Sequence, residues 1–339
     1  MKTEEVGSNI VLSSRIRLAR NLNLMPFPDR ISEEDGRKVV DTIEQSFYKT
    51  PDMSKDYKSI YLWNGDNIQN RAFMEKHLIS PKLLSNVNRA AVIVSNDETV
   101  SIMLNEEDHV RLQTITAGLN LDETYEMANK LDDYLEEDLD FAYDEKLGYL
   151  TACPTNLGTG LRASVMIHLP ALAINNELNS VFNAVTKVGM TIRGLYGEGS
   201  KSEGALFQIS NQLTIGLSEK DILDNLKAVV NQVINQEELS RRQMIKIYKY
   251  ELKDKIFRSL GLLKTAILID SKECLNLLSN VRMGVEMGII KGVSTAILNS
   301  LLVEVQPASL QQIIGKELSN KEMNFNRANL VRERIIKNK

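Results

Sequence analysis

The spacing of hydrophobic residues predicts a front part that mixes strands with helices and a back part that is almost purely helical. Apolar runs between polar residues predict strands over 90–95, 100–105 and 189–197, and alternation over 205–216 predicts a strand or a hairpin. A helical period over 122–142 predicts a helix with an acidic exposed face. Together these elements predict an α+β domain, in which helices flank an antiparallel sheet.

The pattern of the back part begins near Ser218. Ser218 is followed three residues later by Asp221, which resembles a capping box, and Gly261 is expected to end a helix. The boundary is expected inside one long helix. The sequence therefore predicts domains over 1–238 and 239–339, of which the second is all-helical.

Three glycines four residues apart lie between apolar runs of the back part: Gly284, Gly288 and Gly292. Because glycine has no Cβ, it permits two helices to approach closely. This spacing fits contact between two copies of the chain, and it fits equally a buried helix packed within one chain.

The composition is that of a soluble globular protein. The 339 residues are 43% hydrophobic and 25% charged, which suffices for one large or two medium cores. No membrane helix or signal peptide is predicted. Two cysteines, Cys153 and Cys274, do not make a disulfide framework, so we expect a cytoplasmic protein. The scattered histidines (His77, His109 and His168) predict no structural metal.

Charge is distributed unevenly. Residues 240–339 carry 18 Lys and Arg against 9 Asp and Glu, and the remaining residues carry 23 against 36. The acidic front part argues against direct nucleic-acid binding and suits cationic substrates. The basic back part could contact an acidic partner or form solvated helix faces.

Arginines beside strand-like segments are candidates for anion binding. Arg15 and Arg17 in "SSRIRLAR" are two apart, so on a strand both point to one face. Arg111, Arg162 and Arg193 lie in similar contexts. Each alone is more often part of a structural salt bridge. Five together match the distributed charge of a nucleoside triphosphate, because guanidinium pairs phosphate oxygens in two-pronged fashion. The P-loop and protein-kinase signatures are absent from the sequence.

Several segments resemble one family. "CPTNLGTGLRASV", "SSRIRLAR", "NEEDHVRLQ" and "RGLYGEGS", with "EKHLISP" and "QISNQLTIGLSE", are similar in order and wording to the catalytic domain of the phosphagen (guanidino) kinases. The stretch "SLGLLKTAILIDSKECLNLLSNVRMGVEMGIIKG" resembles the helical domain of the bacterial protein-arginine kinases of the McsB type. The resemblance implies a phosphagen-kinase-like sheet followed by an all-helical domain, and it implies ATP and Mg²⁺ as cofactors.

The resemblance also implies which residues bind the nucleotide. The five arginines match positions that grip the ATP phosphates, and His77 matches the residue lying against the adenine. The predicted nucleotide-binding set is Ser13, Ser14, Arg15, Ile16, Arg17, His77, Arg111, Arg162, Ala163, Ser164, Val165, Met166, Arg193, Gly194, Leu195, Tyr196, Gly197 and Glu198. His109 and His168 are expected to be ordinary surface or hydrogen-bonded core histidines.

Three residues match the catalytic positions of that family: Glu107, Cys153 and Glu198. The two carboxylates would hold the acceptor guanidinium, with Glu107 as the base and Glu198 orienting, although the opposite split stays open. A thiolate at Cys153 would steer the guanidinium. Within "NEED", Glu106 and Asp108 are expected to face solvent.

The acceptor follows from a further comparison with the family. Kinases of small guanidino compounds carry an additional N-terminal domain before the segment equivalent to "SSRIR", and here that segment begins at Ser13. We expect that domain to be absent, which leaves a cleft open to protein-bound arginine. The prediction is a protein-arginine kinase. The alternatives are a free-arginine (phosphagen) kinase and a non-catalytic adaptor that binds phosphoarginine.

Regulation and partners are implied by resemblance alone. The family's R-D-x-x-R-A motif forms a phosphoarginine pocket, whereas "MNFNRA" here keeps Arg327 and Ala328 but has Met323 and Asn324 in place of the arginine and aspartate. Loss of this guanidinium and carboxylate is expected to weaken anion binding, so strong activation by phosphoarginine is not expected. Implied partners are a heat-shock repressor, misfolded proteins, a Clp protease and a zinc-binding activator, within stress response and protein degradation. A homodimer is expected through the helical domain.

Overall fold

The computed structural model describes residues 10–194 and 202–337. The chain divides into two compact units, which are described separately. The sheet unit comprises Ser13–Val165 and Ser210–Ala228, and the helical unit comprises Met1–Leu12, Met166–Ile209 and Val229–Lys339.

Strands of the described residues include all four that the sequence predicts. They are β1 (Val11–Arg20), β2 (Tyr57–Tyr61), β3 (Ala91–Ser95), β4 (Val100–Leu104), β5 (Val110–Ala117), β6 (Tyr143–Asp144), β7 (Gly148–Tyr149), β8 (Leu161–His168), β9 (Met190–Gly194) and β10 (Leu206–Asn211). The segment predicted as a strand or hairpin over 205–216 forms the single strand β10. The end of the predicted 189–197 strand lies outside the described residues.

In the sheet unit the strand order is β2-β3-β4-β5-β1-β8. The pairs from β2 to β1 are antiparallel, as predicted. The central strands β3 and β4 are buried along their whole length, so both faces of the sheet are covered there. The strands β6 and β7 form a separate hairpin. In the helical unit, the end of β8 is followed by β10 and then β9.

Helices in the described residues precede, connect and follow these strands. They are α1 (Glu33–Phe47), α2 (Pro51–Asp56), α3 (Asn67–Glu75), α4 (Pro81–Ser85), α5 (Leu121–Glu136), α6 (Pro170–Ile174), α7 (Leu178–Lys187), α8 (Glu219–Ile247), α9 (Lys249–Thr265), α10 (Ser271–Glu286), α11 (Thr295–Glu304), α12 (Pro307–Ile314) and α13 (Asn320–Lys337). The helix predicted over 122–142 is α5, which ends earlier than expected. The helical back part is confirmed.

The helix α8 begins and extends as predicted. Ser218 Oγ accepts the backbone N–H of Asp221 (3.1 Å), and Asp221 accepts the Ser218 hydroxyl and N–H in return. This is the predicted capping box. The helix continues through residue 238, where the sequence places the domain boundary, and the domain assignment of 1–238 and 239–339 stays a prediction.

The expectation that Gly261 ends a helix is wrong, since α9 continues through it to Thr265. A glycine inside a helix costs about 1 kcal/mol relative to alanine. The neighbouring Leu252, Ile256 and Leu263 are buried in the core of the helical unit, and their burial outweighs that cost.

The three spaced glycines do not form one continuous helix face. Gly284 lies inside α10, where a Cβ would come within 2.5 Å of Ile256 Cγ2 on α9. Gly288 and Gly292 follow the helix with positive φ angles of 69° and 79°, so they make turns. The close approach is therefore between helices of one chain. Helices of the described ranges are too short or too polar to span a bilayer.

Candidate active site

Arginines from neighbouring strands lie on one face of the sheet unit. On β1, Arg15 and Arg17 point to the same face, and Ile16 between them is buried on the other. In the antiparallel register Ala19 lies opposite Arg111 of β5, which adds Arg111 to the face of the first two arginines. Strand pairing therefore brings together residues almost a hundred positions apart.

The electrostatics of Arg17 reflect this clustering. Burial, followed by the positive charges of Arg111, Arg15 and Arg162, holds the pKa of Arg17 well below its usual value. Arg162 on β8 also donates to the Ser210 hydroxyl (Nη2 to Oγ, 3.4 Å). Four guanidinium groups that repel one another favour a ligand with several negative charges.

Not every arginine of "SSRIRLAR" belongs to this cluster. Arg20 pairs with Asp132 (Nη2 to Oδ2, 2.6 Å), and its guanidinium carbon lies 3.5 Å from the centre of the Tyr149 ring. Both charged side chains are buried. Arg20 is therefore a structural arginine. It is not one of the arginines that the sequence analysis proposes for anion binding.

The fifth predicted arginine, Arg193, is exposed on β9 in the helical unit. Gly194 ends that strand. The predicted site residues Leu195, Tyr196, Gly197 and Glu198 lie outside the described residues. Four of the five predicted arginines thus share one unit, and their roles in binding phosphate stay predictions.

The expectation that Glu106 faces solvent is wrong. Glu106 is 1% exposed, and both its carboxylate oxygens accept from Nη1 of Arg111 at 2.6 Å. The hydroxyl of Ser80, which caps α4, also donates to it. Burial alone would raise the pKa of Glu106, but Arg111 and these hydrogen bonds hold it below its usual value. Arg111 and Ser80 therefore cover the Glu106 carboxylate, which the sequence predicts to face solvent.

Asp108 is also buried, contrary to expectation, at 2% exposed. Its Oδ1 accepts from Asn21 Nδ2 and from the backbone N–H of Ala152, each at 2.7 Å. Burial raises the pKa of Asp108 against these hydrogen bonds. Because Ala152 precedes Cys153, the bond holds the loop of Glu107 beside the segment of the thiol.

Glu107 itself is partly exposed between these two buried carboxylates. Burial, and then the negative charges of Asp108 and Glu106, raise the pKa of Glu107. Cys153 is half-buried, with its Sγ 3.1 Å from Thr155 Oγ1. A carboxylate with a raised pKa is suited to accepting a proton, and a partly exposed thiol in the neighbouring segment is suited to contacting a substrate group.

His77 follows α3 in a left-handed conformation (φ 62°). Burial, then the charge of Arg15, lowers the pKa of His77 to about 3, so its ring is neutral at pH 7. Its carbonyl accepts from the side chain of Gln113 (2.8 Å), which also donates to Ser101 (2.9 Å). Sequence reasoning missed Gln113, although its position two residues after Arg111 on a strand places it on the same face.

The remaining histidines have ordinary structural roles, as predicted. The ring of His109 is buried, accepts the N–H of Leu22 (3.1 Å) and lies 3.0 Å from the carbonyl of Pro26. His168 is buried beside Ser279 and Glu286 in the helical unit.

The two glycines after Cys153 are required by contacts within the protein. A Cβ at Gly160 would lie 2.6 Å from the carbonyl of Ala19, and a Cβ at Gly158 would lie 3.0 Å from the carbonyl of Thr214. Both have positive φ angles. Backbone packing therefore accounts for glycine at both positions.

Other members of the predicted nucleotide-binding set are mostly part of the core. Ser14 is buried, donates to the Gly118 carbonyl and accepts the N–H of Asn120. The buried members are Ser14, Ile16, Ala163, Ser164 and Val165, and the half-buried ones are Ser13 and Met166.

The predicted regulatory pocket is closed around its own arginine. Arg327 is 2% exposed and donates to the carbonyls of Val305 and Ile269 and to Oδ1 of Asn324 (2.8 Å). Ala328 is fully buried. The neutral Asn324, which stands where the family motif has aspartate, thus serves as a partner of Arg327 within the helical unit.

Two family models match the chain. Residues 38–240 match the ATP:guanido phosphotransferase C-terminal catalytic domain, and residues 249–339 match the protein-arginine kinase McsB C-terminal domain.

Curated relatives match over nearly the full length. A protein-arginine kinase of Clostridium acetobutylicum is 59% identical over 97% of this chain and 96% of its own. A protein-arginine kinase of Clostridium kluyveri is 58% identical over 99% of this chain and 97% of its own. One from a Geobacillus species is 46% identical over 99% and 93%.

Solved structures share the fold. A crystal structure of lombricine kinase has a TM-score of 0.57 and 25% identity, over 67% of this chain and 66% of that one. A duplicated taurocyamine kinase from Schistosoma mansoni with bound transition-state-analogue components has a TM-score of 0.61 and 23% identity, over 73% of this chain and 37% of that one.

Proposed function

The chain belongs to the ATP:guanido phosphotransferase family, and from this premise we propose that it is a protein-arginine kinase. It transfers the γ-phosphoryl group of ATP to a guanidino nitrogen of a protein arginine. The products are ADP and N-phospho-L-arginine in the protein. The observation that carries the proposal is the cluster of Arg15, Arg17, Arg111 and Arg162 in the same unit as Glu107 and Cys153.

The four arginines supply spread positive charge for the triphosphate. Phosphoryl transfer depends mainly on alignment and charge stabilisation, without a covalent enzyme intermediate. The pKa of Arg17, lowered by burial and then by repulsion from the other arginines, supports this role, because a bound anion compensates its positive charge. Glu106 keeps Arg111 oriented through its paired hydrogen bonds.

Glu107 and Cys153 act on the acceptor. A guanidinium is protonated at neutral pH and is a poor nucleophile. Glu107 accepts a proton from the attacking nitrogen as the N–P bond forms and the bond from the γ-phosphorus to the bridging oxygen of ADP breaks. Cys153 contacts the same guanidino group. Glu198 is proposed as the second carboxylate on resemblance alone.

Mg²⁺ enters as part of the nucleotide substrate. In the part of the chain that the structure describes, no group of His, Cys, Asp and Glu is arranged to hold a metal ion. The ion is therefore expected on the phosphates, where it neutralises charge alongside the arginines.

The family branch supports the wider role. We place the enzyme in the bacterial cytoplasm, in stress response and protein degradation, with unfolded proteins and a heat-shock repressor as substrates. A Clp protease and a zinc-binding activator are proposed partners, and a homodimer through the helical domain is the proposed assembly. These assignments rest on the match to the protein-arginine kinase C-terminal domain.

The test measures phosphate transfer from Mg-ATP to two acceptors in parallel, free L-arginine and an unfolded arginine-containing protein. Label on the protein that is stable to alkali and lost in acid supports an N–P bond. Label on free arginine alone would identify a phosphagen kinase. No label on either acceptor, with activator added, would leave the phosphoarginine-binding adaptor.

A Glu107→Gln variant separates catalysis from binding. Its kcat is expected to fall about 10²- to 10⁴-fold, while ATP affinity stays near that of the parent protein. The same exchange at the exposed Glu123 on α5 serves as the matched control and should leave kcat unchanged. Equal activity of both variants would remove Glu107 from the mechanism.

A further inference from the structure

The sheet unit contains an open groove of about 520 Å³. Its walls are the β6–β7 hairpin, the backbone at Gly158 and Thr159, and the segment 214–219. The reaction proposed above does not use this groove.

The walls are held by contacts that do not need a ligand. The backbone of Tyr149 pairs with that of Gly158 (N to O, 2.8 Å), and Thr214 Oγ1 donates to the carbonyls of Leu157 (2.6 Å) and Thr155 (3.1 Å). At Gly148 a Cβ would come within 2.5 Å of the Gly158 carbonyl. The groove is therefore preformed, and a ligand that fits it does not have to order it.

Apolar side chains stand exposed along the groove. Exposed fractions are 60% for Tyr143, 43% for Leu147, 46% for Ile215 and 42% for Leu217. Single exposed apolar residues are ordinary, but several along one concave surface are typical of an interaction site. Tyr143 also packs edge-to-face on Tyr149 (ring centres 5.3 Å apart), which presents a rigid aromatic surface.

Charge on the groove favours a basic ligand. Of its charged lining residues, Glu136 and Glu219 are acidic and Lys146 is basic. The carboxylate of Glu136 accepts from the Tyr149 hydroxyl (3.2 Å), which fixes its position. An apolar surface with excess negative charge fits a polypeptide that carries apolar and basic side chains.

The groove lies near the thiol along the chain. Gly158 is five positions after Cys153, and a chain spans at most about 3.6 Å per residue, so the two are within about 18 Å. An extended peptide whose arginine is at Cys153 could reach the groove with residues only a few positions away.

We propose that this groove binds an extended segment of the protein substrate adjacent to its acceptor arginine. Apolar residues of the segment pack on Leu147 and Ile215, and a basic residue lies toward Glu136 and Glu219. This inference rests on the proposed protein-arginine kinase activity. It adds the sequence around the acceptor: apolar and basic residues flank the arginine in the preferred substrate.

The experiment compares two acceptors, N-acetyl-arginine-amide and a twelve-residue peptide with leucine and lysine around a central arginine. The Leu147→Ser/Ile215→Ser double variant should lower kcat/KM for the long peptide about tenfold, mostly through KM. For the short acceptor the change should stay within about twofold. The exchange Leu24→Ser, at an exposed leucine of the same unit, is the matched control and should alter neither value.

A second arm tests the charge. The Glu136→Gln/Glu219→Gln variant should weaken binding of the lysine-flanked peptide and leave a serine-flanked peptide unchanged. The lysine-flanked peptide should also lose affinity as salt rises, because exposed charge pairs are screened.

The outcomes are distinguishable. If the unaltered protein labels both acceptors with equal kcat/KM, or if the double variant slows both acceptors equally, the groove does not bind substrate although the kinase activity stands. If the double variant instead lowers the mass of the protein in sedimentation, the groove is an interface between copies. If the unaltered protein labels neither acceptor, the proposed function itself fails and the groove assignment falls with it.

Discussion

The Oδ1 of Asp108 accepts the backbone N–H of Ala152 at 2.7 Å, across 44 positions of the chain. Asp108 directly follows Glu107, the proposed base, and Ala152 directly precedes Cys153, the proposed thiol contact of the substrate. One buried hydrogen bond therefore sets the spacing between the proposed base and the thiol. Burial raises the pKa of Glu107, and the negative charge of Asp108 raises it further.

The exchange Asp108→Asn should shift the pH profile of kcat/KM. Glu107 must be unprotonated to accept a proton, and burial and its neighbours raise its pKa above the ordinary 4.5. Removing the charge of Asp108 lowers that pKa, so the acidic limb should move to lower pH. The amide oxygen can still accept from Ala152, so the maximal value should stay within about tenfold. Asp52→Asn, remote on α2, should leave the limb in place, and a shift toward higher pH would contradict the argument.

The exchange Arg17→Met should stabilise the nucleotide-free protein and weaken ATP binding. It removes a half-buried cation that three other arginines repel, which should raise the free energy of unfolding by about 1 kcal/mol. Loss of its proposed phosphate contacts should reduce ATP affinity about tenfold or more. Thermal unfolding with and without Mg-ATP measures both effects.

Arg20→Met, on the same strand, is the opposite control. It leaves Asp132 buried without its partner, which should cost about 3 kcal/mol. Destabilisation by both exchanges would show that Arg17 is also a structural arginine.

Stability should fall in mild acid because of His168. Burial lowers the pKa of His168 to about 4 from its ordinary 6.5, despite the neighbouring Glu286. The unfolded chain thus takes up a proton at higher pH than the folded one, so the stability present above 6.5 is lost as the pH falls toward 4. His168→Gln should remove part of this slope, and urea unfolding at pH 7.5 and pH 5 measures it. An unchanged slope would exclude His168 as its source.

Free phosphoarginine should leave the activity of this protein unchanged, since Arg327 is closed in by Ile269, Val305 and Asn324. The double exchange Met323→Arg/Asn324→Asp restores the motif of the family and should introduce stimulation. Initial rates with and without phosphoarginine measure this. Strong stimulation of the unaltered protein, abolished by Arg327→Ala, would contradict the prediction.

Local sequence pattern predicted four of the strands, the helical back part and the shared face of two proposed phosphate-binding arginines. The period of two over "SSRIR" placed Arg15 and Arg17 on one face, because side chains alternate on any strand. Ser218 and Asp221 predicted the start of α8, because a capping box involves residues only three apart. The segments around Glu107 and Cys153 resemble those of the guanidino kinases, and only this resemblance pointed to guanidino phosphotransfer.

Tertiary structure decided which charged side chains are buried and which are paired. Arg20 and Arg17 look alike in sequence, yet Arg20 pairs with Asp132, 112 positions away, whereas Arg17 lies among three other arginines of the described residues. Glu106 and Asp108 read as solvated acids, and both are buried by segments that the local pattern does not reveal. Gly284 is tight against Ile256, whereas Gly288 and Gly292 make turns. Periodicity reports the direction of a side chain from its own backbone, but burial and pairing depend on what the distant chain brings against it.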